Sequence, residues 1–132
     1  MILVDSNIFF DLVDRDPVWE PWSVQQLRIN STLHELVTNP IIFAELSPRY
    51  ATPDDVDAVL TYTGVRLIGL PKEAEFLAGK TFHLYRRQGG LRTSLLAHSF
   101  IGAHATVLGA AILTRDTRRY ATCFPTVRLI AP

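Results

Sequence analysis

The sequence predicts an α/β fold, a short parallel sheet of about five strands covered by helices on both faces. Three observations carry this. Short apolar runs alternate with segments of helical spacing along the whole chain. Helix starts and stops are marked by capping residues, prolines and glycines. And 48% of the 132 residues are apolar, at a length where about two-thirds of the unfolded surface can be buried. Length predicts one domain spanning 1–132.

Ile2–Val4 is the first apolar run and reads as a buried strand. Asp5-Ser6-Asn7 then offers cap-type residues for a short helix. Residues 18–30 have helical spacing through Trp19, Trp22 and Leu27, and Glu35–Val37 is a weak strand. Asn39-Pro40 is a strong helix start, with asparagine as cap and proline at the first helical position, and the helix continues to Leu46. Thr52-Pro53-Asp54-Asp55 is a second start, its acids set against the positive helix end; Gly64 closes that helix after Thr63. Val65–Leu70 reads as the third strand. A long helix follows Pro71 through Phe76, Phe82 and Tyr85 and stops at Gly89-Gly90. Ala97–Leu108 is the next helix, closed by Gly109, and Ala110–Leu113 the fourth strand. Thr117–Ala121 forms a helical turn, and Val127–Ile130 is the fifth strand.

Several functional classes drop out. The chain has no G-x-G-x-x-G, no G-x-x-x-x-G-K-[ST] and no G-x-S-x-G, so the dinucleotide fingerprint, the NTPase phosphate loop and the nucleophile elbow are all missing. Asp5 lacks a second aspartate two residues on, which weighs against an aspartyl-phosphate phosphatase. Cys123 is the only cysteine, which argues against a thiolate zinc site and for a reducing cytoplasm. No apolar run is long enough to span a membrane, and the start lacks signal-peptide features.

Net charge is zero but uneven. Residues 1–75 carry twelve acids and five bases; residues 76–132 carry one acid and eight bases, seven of them arginine. An arginine-rich half suits a phosphate-bearing partner.

In parallel sheets ligands bind beyond the carboxyl ends of the strands, at a switch in strand order. The acids placed there are Asp5 after the first strand and Asp116 after the fourth. Glu45 lies in the helix after Asn39 among apolar neighbours. Taken singly, Asp5 also reads as a helix cap, Glu45 as a solvated helical acid and Asp116 as a cap on the turn before Arg118-Arg119. Taken together, converging carboxylates repel unless a cation neutralises them. Mg²⁺ or Mn²⁺ does so through oxygen ligands and retained waters, and such an ion can activate water against a phosphodiester.

The stretches "ILVDSNIFFDL", "NPIIFAEL", "FIGAHA", "AAILTRDTRRY" and "CFPTVRLIAP", in this order and at this spacing, resemble the PIN-domain family, and within it the VapC-type toxins of toxin–antitoxin pairs. The resemblance covers essentially the whole chain. It implies a doubly wound short sheet, a Mg²⁺- or Mn²⁺-dependent endoribonuclease, an RNA substrate, a cognate antitoxin and usually a homodimer. By position it makes Asp5, Glu45 and Asp116 the metal-binding acids. It places Ser6, Asn7, Thr114 and Arg115 beside them as substrate-side residues. Arg86, Arg87, Arg92, Arg115, Arg118 and Arg119 become candidates for the RNA backbone.

One position departs from the family pattern. His98 stands where PIN domains usually carry an aspartate. Losing a carboxylate about 4 Å from a cation removes about 4 kcal/mol at an effective dielectric of about 20, before screening by water. Imidazole partners Mg²⁺ poorly and Mn²⁺, Zn²⁺ or Ni²⁺ better. A natural variant using another metal, a natural variant with lost activity, and an introduced change that blunts a toxic nuclease all account for this residue. A PIN-fold module that binds RNA or antitoxin without hydrolysis is the non-enzymatic alternative, and a nucleotide phosphatase on a similar sheet is a third. His104 is expected to be a packed, hydrogen-bonded residue, and Trp19 and Trp22 a helix face.

Overall fold

A computed structural model describes residues 1–87 and 92–132, with Arg92 described by its backbone alone. The strands are β1 (Ile2–Val4), β2 (Leu36–Thr38), β3 (Arg66–Leu67), β4 (Ala111–Leu113) and β5 (Leu129–Ile130). The helices among the described residues are α1 (Ser6–Val13), α2 (Glu20–Ser31), α3 (Pro40–Leu46), α4 (Pro53–Thr63), α5 (Lys72–Tyr85), α6 (Arg92–Leu108) and α7 (Arg118–Cys123), with a 3₁₀ turn at Ser47–Arg49.

The strands form one parallel sheet in the order β3-β2-β1-β4-β5. The chain winds outward from β1 through β2 to β3, then returns to the other side of β1 for β4 and β5. The direction of winding therefore reverses between β1 and β4. Val4 pairs with Leu113 across that junction, so Asp5 and Thr114 leave the sheet at the same level. The three central strands are buried throughout. Helices cover them on both faces, which is why they read as unbroken apolar runs and not as alternation.

Local chemistry sets the helix ends. Asn39 caps α3, its Oδ1 accepting from the N–H groups of Ile41 and Ile42, each at 3.0 Å. Thr52 and Asp55 form a reciprocal capping box on α4. Gly64 and Gly109 end α4 and α6 with φ of 70° and 65°, a conformation that glycine reaches without a Cβ penalty. Gly102 serves close packing instead, since a Cβ there would meet the Phe124 ring at 2.1 Å. Its bare backbone lets the end of α7 close onto α6.

Some boundaries differ from expectation. The third strand is two residues long, not six, because only Arg66 and Leu67 find partners, on Val37 and Thr38. The helix expected from Ala97 begins at Arg92, and α6 packs against α5 over much of its length. Helix α2 starts at Glu20, because Asp16 Oδ1 first captures the N–H groups of Val18 and Trp19 in a turn. The expected stop at Gly89-Gly90 and the side chain of Arg92 lie outside the described residues. Among the described residues no helix is long and apolar enough to cross a membrane.

Candidate active site at the switch point

Asp5 follows β1 directly and caps α1 with extended backbone angles. It is 2% exposed and its carboxylate accepts four hydrogen bonds. Oδ1 receives the Ser6 N–H at 2.8 Å. Oδ2 receives Asn7 Nδ2 at 3.1 Å, Thr114 Oγ1 at 2.7 Å and the Tyr120 hydroxyl at 3.0 Å. These donors come from α1, the end of β4 and α7. Burying a charge is costly without such partners, and here the fold supplies them from both sides of the switch point.

Glu45 reaches the same place from α3. Ser6 joins the two acids, its N–H bonded to Asp5 and its hydroxyl donating to Glu45 Oε2 at 2.7 Å. The other oxygen, Oε1, is buried with no hydrogen-bond partner among the described residues. Burial raises the proton affinity of Glu45 above that of an ordinary glutamate; the Ser6 bond counteracts this and the Asp5 charge adds to it. Glu45 is thus not a solvated helical acid.

Asp116 completes the rim. Its backbone N–H donates to Thr114 Oγ1 at 3.0 Å, the hydroxyl that holds Asp5. Its side chain is 39% exposed, and Oδ2 lies 2.9 Å from His98 Nε2. His98 comes from the second turn of α6, with Nδ1 2.7 Å from the Ser94 carbonyl oxygen and its ring against Tyr120 at a centroid distance of 4.9 Å. At the edge where the winding reverses, Asp5 and Glu45 are thus joined through Ser6, and the Asp116 side chain is paired with His98.

The polar neighbours take different parts from those expected. Thr114 is fully buried and cannot touch a substrate. Its hydroxyl donates to Asp5 while accepting from Asn7 Nδ2 and the Asp116 N–H. Asn7 bonds Asp5 and Thr114, and its Oδ1 accepts the Arg115 N–H at 3.0 Å. The Arg115 guanidinium is turned to Asp11, with Nε 2.9 Å from Oδ2 and Nη2 2.7 Å from Oδ1. Ser23 donates to the same carboxylate at 2.6 Å, and Trp19 covers the guanidinium at 5.1 Å. This two-pronged pair braces α1, α2 and the β4–α7 connection. Arg119 is half-buried and donates to Ser94 Oγ. Arg86, Arg87 and Arg118 are exposed.

Two groups, Tyr120 and Asp11, were not visible from sequence. Tyr120 is fully buried, and burial, followed by the charge of Asp5, pushes its hydroxyl well above the usual tyrosine range. It therefore stays a hydrogen-bond donor. Asp11 is the buried partner of Arg115. His104, expected to be packed, is fully buried and lies 3.2 Å from Asn39 Nδ2 through its Nδ1. The Asn39 amide nitrogen donates, so Nδ1 accepts. The residue that caps α3, the helix carrying Glu45, is thereby tied to α6.

A divalent ion fits this donor set in one particular manner. Among the described residues no three His, Cys, Asp or Glu side chains gather into a metal-binding group. Mg²⁺ rarely needs such a cage; it binds through one or two carboxylates and fills its shell with waters and substrate phosphate oxygens. The partnerless Glu45 Oε1 beside the Asp5 charge offers a cation a buried, unsatisfied oxygen.

Solved structures share this architecture. A chain of the VapBC2 complex of Rickettsia felis bound to promoter DNA superposes with a TM-score of 0.71 at 17% identity, covering 99% of this chain and 98% of that one. VapBC-1 of nontypeable Haemophilus influenzae gives 0.70 at 20% identity, covering 99% and 98%. A toxin–antitoxin complex of Klebsiella pneumoniae gives 0.69 at 17%, covering 100% and 98%. The chain has their fold. The PIN-like architecture expected from the sequence is therefore present from end to end. No family model matches the chain, and no curated protein does.

Proposed function

We propose that the chain is a VapC-like toxin, a metal-dependent endoribonuclease that hydrolyses RNA phosphodiesters and is held in check by a cognate antitoxin. One observation carries the reading. Asp5 and Glu45 are joined through Ser6, and the Asp116 backbone is joined to Asp5 through Thr114, at the switch point of a fold that occurs in toxin–antitoxin complexes.

Glu45 and the Oδ1 side of Asp5 would hold Mg²⁺ or Mn²⁺, with Asp116 joining directly or through a retained water, and the ion would supply an activated water and offset the charge that builds on the phosphodiester. The residues do the rest. Thr114, Asn7 and Tyr120 fix the Asp5 carboxylate in one orientation. Ser6 holds one oxygen of Glu45 and leaves the other open. Exposed Arg86, Arg87 and Arg118 are the cations we assign to the RNA backbone. Arg115 is left out, because its donor fork is committed to Asp11. A homodimer in the cytoplasm belongs to the same reading.

The test is cleavage of RNA by the purified chain with Mn²⁺ or Mg²⁺, with and without EDTA. Scission that EDTA abolishes is expected. Scission that survives EDTA, or release of free phosphate without scission, contradicts the reading.

A further inference from the structure

The contact between His104 and Asn39 deepens that reading and rests on it. Asn39 follows β2 and caps α3. Its Oδ1 accepts the N–H groups of Ile41 and Ile42, so the amide cannot be turned over and Nδ2 is the atom that faces His104. That nitrogen only donates, and Nδ1 of the ring, 3.2 Å away, must accept. The ring hydrogen is therefore on Nε2. Both residues are fully buried. Burial lowers the proton affinity of the ring, which keeps it neutral at pH 7 and its Nδ1 lone pair available.

Stability alone would not select this arrangement. Nε2 is buried with no hydrogen-bond partner among the described residues, and a buried donor left unpaired costs free energy. What the ring contributes lies on its other nitrogen, in the single bond to the cap of α3. Helix α3 has seven residues, too few to be stable by itself, so its direction is set by its cap and its packing. Glu45 stands six positions beyond the cap, about 9 Å along the axis. Over this lever a tilt of about 6° at Asn39 moves the glutamate by about 1 Å. That is enough to spoil a bond as short as the 2.7 Å one from Ser6.

We propose that His104 is a positioning residue for Glu45: its Nδ1 holds Asn39, and Asn39 fixes the entry of α3 so that Glu45 meets Ser6 beside Asp5.

The test has a wild-type arm and a variant arm. In long-range ¹H–¹⁵N spectra of the full chain, His104 is expected as the Nε2–H tautomer; the Nδ1–H form overturns the proposal. Two substitutions then separate positioning from stability. His104→Asn keeps an acceptor where Nδ1 was but leaves a void. His104→Leu fills the space without an acceptor. It exchanges the unpaired Nε2–H for an unpaired Asn39 Nδ2 group, so its unfolding midpoint is expected near that of wild type. The order of stability and the order of function are therefore expected to cross. His104→Leu should shift the backbone amide signals of Ser6 and Glu45 and lower kcat for RNA scission by about tenfold or more at unchanged KM, since misplacement by about 1 Å can cost about a hundredfold. His104→Asn, the less stable of the two, should keep wild-type signals there and wild-type kcat; should it not fold, the tautomer and His104→Leu decide. Unmoved signals in His104→Leu, scission that merely follows stability across the two variants, or a His104→Leu chain that does not fold overturns the proposal. No scission by wild type, with the Glu45 signal still dependent on an acceptor at position 104, removes the nuclease and leaves this inference standing. Metal-dependent scission with kcat indifferent to His104→Leu does the reverse.

Discussion

The Tyr120 hydroxyl donates to Asp5 Oδ2 at 3.0 Å, across 115 residues of chain. Both groups are buried, so this bond joins α7 to the end of β1 inside the protein. Tyr120→Phe removes one of the four donors to Asp5 and leaves the ring in place. A hydrogen bond to a charged group contributes about 1.5–3 kcal/mol. Urea unfolding should show a loss of that size, and RNA cleavage should fall while circular dichroism at low denaturant stays native. Unchanged stability and rate together would show that Asp5 does not depend on this donor.

Glu45→Gln should separate stability from activity. The folded state raises the proton affinity of Glu45, chiefly by burial and further through Asp5. Its charged form therefore works against folding at neutral pH, and folding gains as pH falls through the raised value. An amide oxygen can still accept from Ser6 without that charge. The variant is expected to melt at the same temperature or higher and to lose cleavage. A clear drop in melting temperature would contradict this account of the acid pair.

Asp11 and Arg115 form a brace whose loss is expected to be structural. Asp11 is buried and accepts from both Arg115 and Ser23. Asp11 is buried but the Arg115 side chain is 27% exposed, so removing Asp11 costs up to about 3 kcal/mol, the low end of the range for a buried pair, because the guanidinium left behind reaches water. Asp11→Ala should lose stability on that scale in denaturant titrations. Arg115→Lys should not restore a stable brace, since ammonium lacks the planar fork. A near-neutral Arg115→Lys would mean the fork geometry is immaterial.

The buried His104 predicts a pH dependence of stability. Burial lowers its folded value below the ordinary 6.5. The unfolded chain therefore binds a proton near pH 6.5 that the folded chain resists, and stability falls as pH drops from 6.5 toward the lowered value. Melting temperatures measured from about pH 7.5 to about pH 5 should decline, and His104→Gln should flatten that decline. A slope that persists unaltered in the variant would place its origin elsewhere.

Much of this was legible in the chain. Asn39-Pro40, Thr52-Pro53 and the two left-handed glycines act through their own backbone, so their meaning does not depend on distant residues. The strand-end rule located Asp5 and Asp116 because β1 and β4 are neighbours. What escaped depends on three dimensions. The length of β3 is set by its partner β2, and the early start of α6 accompanies its packing on α5. Thr114 read as a substrate contact and proved to be a buried support for Asp5, since exposure is not written locally. Arg115 read as a phosphate contact because the sequence does not show that Asp11 lies within its reach.

The linked acids at the switch point are the core of the account, and Asp116→Asn addresses them most directly. The Asp116 side chain is 39% exposed, and the residue lends its backbone, not its carboxylate, to the Thr114 network, so the variant should fold with native stability. RNA cleavage measured side by side in Mn²⁺ is predicted to fall to background in Asp116→Asn while wild type cleaves. Wild-type cleavage by a correctly folded Asp116→Asn would contradict a shared cation at this rim.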